Sequence, residues 1–320
     1  MIILDSSIAE GNVSALILAE AADTAGYDTP QQAVEATIRK FLDENGIGQV
    51  MYTRVLEMNP GIDSTVRFSF ETAAVPEVTL GQYKGLKINA AFDSNPEDLA
   101  LAAAAENTAV KIPFLVVDRK LDTMILEKKA GILESSSINA LTDMYAILCR
   151  LNDQSGAAKS ENEVWELAAN AAVRYTESGA MEMSDFIGSI RSVFPSEEET
   201  VAELVNQRIY ERRSTPADDL AAQVFESYLR ISGMTEESWR DQNAEAAAKA
   251  CRIDFLLNAV ADKENISVSD EEYKAAVRAM SMQYQMPMDT IMEVVPRPSV
   301  EYQIRMDKAR KLITDSAIQS

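Results

Sequence analysis

From the middle of the chain onward, a serine is followed three residues later by a glutamate three times: Ser160 and Glu163, Ser196 and Glu199, Ser269 and Glu272. In such a capping box each side chain satisfies the other's exposed backbone N–H, which fixes the first turn of a helix. Apolar residues follow at helical spacing: Val164, Leu167, Ala171 and Tyr175 in one case, Val201, Leu204, Val205 and Ile209 in another. Asn95-Pro96, Thr215-Pro216 and Thr235 are further helix starts. These signals predict roughly eight to ten helices after residue 94, joined by short loops. Pro296 and Pro298 are expected to interrupt the chain before a last amphipathic helix over about 300–317.

The first part of the chain reads differently. Residues 12–19 (NVSALILA) are rich in strand formers. A helix follows, opened by Asp28 or Thr29 with Pro30 and stopped at Gly46; Val34, Ile38, Phe41 and Leu42 share one face. QVMYTRVLEM and STVRFSFETA flank a Pro-Gly turn, and Val66, Phe68 and Phe70 alternate with Arg67 and Ser69, which predicts a hairpin. Residues 75–92 hold a proline and two glycines without helical period and read as an extended linker. The expectation is a mainly α protein: a small α+β domain over 1–74, a linker over 75–92, and a helical domain over 93–320.

Composition narrows the function. The net charge is −21, from 51 acidic and 30 basic residues. Such a chain repels nucleic-acid phosphates and anionic membranes, so neither is expected as a partner. The chain has no histidine, which removes the commonest general base and metal ligand. Cys149 and Cys251 lie far apart in apolar helical runs and are expected as buried free thiols, without the histidine a catalytic cysteine would use. A Gly-rich phosphate loop, a GxSxG elbow and an HExxH motif are all missing, so no cofactor, no metal and no catalytic residues are expected. Acidic pairs such as Glu236–Glu237 fit the first turns of helices, where they complement the helix dipole. The N-terminal MIILDSSIAEGN lacks a basic region and reaches Asp5 after three apolar residues, unlike a signal peptide. No apolar stretch approaches the ~18 residues a membrane span needs. A cytoplasmic protein is expected.

One stretch concentrates methionine: AMSMQYQMPMDTIMEVV, residues 279–295. Met280 and Tyr284 fall on one face of a helix, Met282 and Met286 on another. A helix apolar on several faces is either buried in a core or exposes an adhesive side. Methionine is flexible and polarizable, and Met-rich surfaces suit varied apolar partners. The candidate contact residues are Met280, Met282, Tyr284, Met286, Met288, Ile291 and Met292, while Tyr83, Leu86 and Ile88 are expected to pin the linker to the helical domain.

Three segments carry a family resemblance. VPEVTLGQYKGLKI (75–88) resembles the signature that leaves the N-terminal domain of bacterial trigger factors. Residues 227–287, with a GMTEE turn, a long helix, the cap ISVSDEE and the segment QYQMP, resemble that family's C-terminal domain. KIPFLVVDRKLDTMI (111–125) resembles the helix that starts it. The resemblance implies an arm-bearing helical C-terminal domain that holds unfolded or nascent polypeptide without ATP. Two departures limit what carries over. The family's basic ribosome-docking loop has only Gly26-Tyr27 as a vestige, followed by Asp28 and Thr29, so ribosome binding is doubtful. The prolyl isomerase domain that usually follows the linker has no room, because about 22 residues separate Ala90 from Ile112 and read as one alanine-rich helix. Residues 126–217 instead form a helical insert without a recognised counterpart. The expected function is therefore a non-enzymatic holdase. The alternatives are a helical adaptor for one folded partner and, less favoured, a surviving prolyl isomerase.

Overall fold

The computed structural model describes residues 1–61, 63–88, 95–177 and 182–319. The described residues divide into two compact units, Met1–Lys120 with Ala244–Ser320, and Leu121–Asn243. The sequence suggested a different partition, at residues 74 and 92. Residues 89–92 of the expected linker lie outside the described residues.

The first unit begins with β1 (Ile2–Ala9), β2 (Asn12–Ala19), the short α1 (Ala21–Thr24), α2 (Pro30–Glu44), β3 (Val50–Pro60) and β4 (Val66–Ala74). The four strands form one antiparallel sheet in the order β1-β2-β4-β3. β1 was not legible as a strand. Glu10 and Gly11 turn it into β2 with φ of 51° and 80°, the left-handed pair that a tight type I′ hairpin uses. Thr29 caps α2, accepting from the Gln32 N–H, and Pro30 occupies the first turn as expected. Val34, Ile38, Phe41 and Leu42 pack on Val13, Ile17, Phe68 and Phe70. Phe41 meets Phe70 edge-on at 5.7 Å between ring centres.

The chain continues through β5 (Val78–Thr79), β6 (Lys87–Ile88), α3 (Pro96–Glu106) and β7 (Ala109–Val110). Asn95 caps α3, accepting from the Glu97 N–H. β5 pairs with β7, so this stretch is extended but anchored. α4 (Phe114–Leu133) crosses into the second unit.

That unit contains α5 (Ser136–Ser155), α6 (Glu161–Glu177), α7 (Met183–Val193), α8 (Glu198–Ser214) and α9 (Ala217–Ile231), and takes in the start of α10 (Glu236–Lys263). Its core joins Met144, Ile147, Leu148, Val164, Ala168, Ile190, Val201 and Leu204. The Ser160–Glu163 box forms as expected. The Ser196–Glu199 box does not: Glu197 takes the cap position and no side chain caps α8, because the helix begins one residue later than the motif requires.

The chain returns to the first unit through the rest of α10, then α11 (Asp270–Tyr284), α12 (Met288–Val294), α13 (Arg297–Asp315) and β8 (Ile318–Gln319), which pairs in parallel with β6. The Ser269–Glu272 box opens α11. Pro296 and Pro298 do not delay α13. They occupy its cap and first turn, where a proline's missing N–H costs nothing, and the helix starts at Arg297. Eleven helices follow residue 94 among the described residues, one more than the sequence predicts. The fold is mainly α with a small α+β N-terminal part.

Candidate functional site

Residues 280–294 do not form one continuous helix. α11 ends where Gln285 adopts φ 53°, a left-handed conformation, and Pro287 caps α12. The residue before a proline avoids the helical region, so Met286 cannot continue α11. Ser281 braces the turn: its carbonyl accepts the Met286 N–H at 3.1 Å, and its hydroxyl donates to the Met286 carbonyl at 2.6 Å.

This break sorts the seven residues. Met282 is 70% exposed, and Tyr284, Met286 and Met292 are also exposed, joined by Val294. Ile291 is only 4% exposed and sits in a core with Tyr273, Val277 and Val300, so it is withdrawn from any contact surface; α12 turns it inward against α11 and α13. Met280 and Met288 are half-buried against that core. The result is an apolar helix–turn–helix surface on a packed base.

Ion pairs hold the base. The Arg297 guanidinium pairs with Asp270 and, at 2.6 Å, with Glu301, and stacks 4.6 Å from the Tyr273 ring. Lys308 reaches Glu272 at 2.7 Å. The Arg297 hydrogen bond holds the Asp270 carboxyl below its ordinary pKa, and that of Lys308 does the same for Glu272.

Tyr83 and Leu86 are buried in a core with Leu101, Leu256, Met306 and Ile313, and Ile88 is buried in β6. Gly81 passes so close to α3's end that a Cβ would collide with the Asn107 carbonyl. Cys251 is buried and Cys149 half-buried; both are free, and burial pushes both thiols up. Among the described residues, no three His, Cys, Asp or Glu side chains are placed to hold a metal, and no helix is long and apolar enough to cross a membrane.

A second apolar surface had little signal in the sequence. Four strands about 4.8 Å apart make a face roughly 19 Å wide, and one helix about 10 Å across covers half of it. α2 packs on β2 and β4. A groove of about 890 Å³ remains beside it, lined by Val34, Ile38 and Leu42 of α2 and by Val55, Leu56 and Met58 of β3. On the other side, β1 leaves Ile2, Ile3, Leu4 and Ile8 exposed. Only alternation on β3, disturbed by shifts after Val50 and Val55, could have announced the groove.

These elements define a mainly α protein with a small α+β N-terminal part and an exposed apolar helix–turn–helix. Known proteins resemble it in the same two regions. The family model "Bacterial trigger factor protein (TF)" matches residues 14–102, and "Bacterial trigger factor protein (TF) C-terminus" matches residues 197–318. The chain belongs to the bacterial trigger factor family. The trigger factor of Staphylococcus epidermidis is 27% identical over 239 residues, covering 74% of this chain and 50% of that protein. The trigger factor of Lactococcus lactis subsp. lactis is 33% identical over 92 residues, 29% of this chain and 22% of that protein. The chain thus spans half or less of the length of these relatives. A solved structure described as "Promiscuous Substrate Recognition in Folding and Assembly Activities of the Trigger Factor Chaperone" aligns over 98% of this chain and 99% of that one, at 13% identity and a TM-score of 0.37. The C-terminal family model begins at residue 197, inside the 126–217 span for which the sequence offered no counterpart.

Proposed function

We propose that this chain is an ATP-independent holdase that binds unfolded or nascent polypeptide through the surface of Met282, Tyr284, Met286 and Met292, in a cytoplasmic setting and without catalysis. The carrying observation is an apolar patch left exposed on a packed base in a chain of net charge −21. Exposed apolar clusters of this kind mark binding surfaces, and the charge keeps a protein that carries one soluble. Unbranched thioether side chains adapt to clients of different shape. Family membership supports the same reading.

The test is aggregation of a denatured client. Equimolar full chain is expected to suppress it, and the double substitution Met282→Glu, Met292→Glu to weaken suppression severalfold. No suppression at equimolar amounts rejects the holdase. Association with ribosomes is expected to be weak, since Asp28 follows Gly26-Tyr27 at the vestigial loop. Strong co-sedimentation with ribosomes, lost on deleting residues 24–31, would overturn that part.

A further inference from the structure

Two-electron oxidants attack the lone pair of a thioether sulfur and need access to it. Of the chain's 14 methionines, Met144 and Met306 are buried, while Met282, Met286 and Met292 are exposed within 11 residues of sequence. Met58 and Met183 are exposed too, each elsewhere. The thiols compete poorly for such oxidants. Cys251 is buried and Cys149 half-buried, and burial keeps both protonated, whereas the thiolate is the reactive form.

We propose that Met282, Met286 and Met292 form a reversible oxidation site whose conversion to sulfoxides switches off apolar binding by this surface, and so releases client. The inference rests on the holdase reading for the client, though not for the chemistry. A hydroperoxide, ROOH, supplies the oxidant. Its terminal oxygen transfers to sulfur, an S–O bond forms as the O–O bond breaks, sulfur loses two electrons, and the proton passes to the leaving oxygen to give ROH. A flexible apolar side chain becomes a polar acceptor that disfavours contact with apolar client.

The fold makes this a switch rather than damage. The base of Tyr273, Val277, Ile291 and Val300 excludes the three exposed sulfurs, and the half-buried Met280 and Met288 lie against it. The turn is braced by Ser281 through the Met286 backbone, not its side chain. Oxidation at the three positions therefore changes the surface and leaves the helices standing.

The experiment treats the full chain with hydrogen peroxide, maps sulfoxides by peptide mass spectrometry, and follows anilinonaphthalene sulfonate fluorescence, helix content and client suppression. Sulfoxides are expected at 282, 286 and 292 well before 144 and 306. Client affinity should weaken about tenfold or more at unchanged helix content. Methionine sulfoxide reductase should restore both binding signals. The triple variant Met282→Leu, Met286→Leu, Met292→Leu, whatever its starting affinity, should lose none of that affinity in peroxide. Unchanged dye and client binding after full oxidation of the three, or equal loss in the leucine variant, overturns the proposal. If the reduced chain suppresses no aggregation, the holdase reading falls by itself. The dye signal, compared between native and leucine variants, then still decides the oxidation site.

Discussion

Tyr83 donates its hydroxyl hydrogen to the Glu264 carboxylate at 2.7 Å, joining residues 181 positions apart in sequence. Lys84 pairs with the same carboxylate at 2.7 Å, and Lys263 lies 5.0 Å from the Tyr83 ring centre. The ring itself is buried among Leu86, Leu101, Leu256 and Ile313.

This contact predicts an alkaline transition. Burial first, and then the Glu264 carboxylate, push the Tyr83 hydroxyl up to about 12. An unfolded tyrosine ionises near pH 10. Between these values the unfolded chain has lost the proton and the folded chain keeps it, so stability falls as pH rises from about 10 to about 12. Below pH 10 the contribution is fully present. Tyr83→Phe should flatten this loss in denaturant titrations followed by far-UV circular dichroism.

Gly81→Ala should destabilise the first unit. The added Cβ meets the Asn107 backbone carbonyl, which cannot move aside as a side-chain end would. An overpacking cost of about 1–3 kcal/mol is expected, read as a lower urea midpoint at unchanged slope.

Asp143→Ala should weaken the second unit. Asp143 accepts from Arg208 at 2.9 Å and Arg212 at 2.7 Å, and Arg208 is itself buried. Removing the acid leaves two cations crowded without it, at a cost of about 3 kcal/mol. Trp165 and Trp239, the chain's two tryptophans, both lie in this unit, so tryptophan fluorescence reports the loss separately from the first unit.

Ser269→Ala removes the hydroxyl that accepts from the Glu272 N–H at the start of α11. A loss of about 1 kcal/mol is expected. Amide hydrogen exchange in the first turn of α11 should quicken, with little change in α2.

Much of the fold was legible, for local reasons. Thr29 and Pro30 announced α2, and Ser160 and Ser269 announced α6 and α11, because a cap needs only residues within one turn. Pro296 marked the break between α12 and α13, but the start of α13 was expected about three residues late, since a proline that breaks a helix interior is welcome in its first turn. β1 escaped notice because Ile2, Ile3, Leu4 and Ile8 are all exposed, so no buried face imposes alternation. The methionine segment could be found from composition. Which of its residues face outward could not, because that depends on Gln285 adopting a left-handed turn without a glycine, and on Ile291 finding a core built from three helices.

The core around Tyr83 has a consequence for how the molecule is made. Leu86 and Leu101 belong to the first third of the chain, whereas their neighbours Met306, Ala309 and Ile313 belong to its last helix. During vectorial synthesis the early segments must wait, with apolar faces uncovered, until residues 306–313 have emerged. Long-range contacts of this kind slow folding and prolong exposure to aggregation. A protein proposed to shelter unfinished chains is thus, until those residues are made, an unfinished chain that needs shelter.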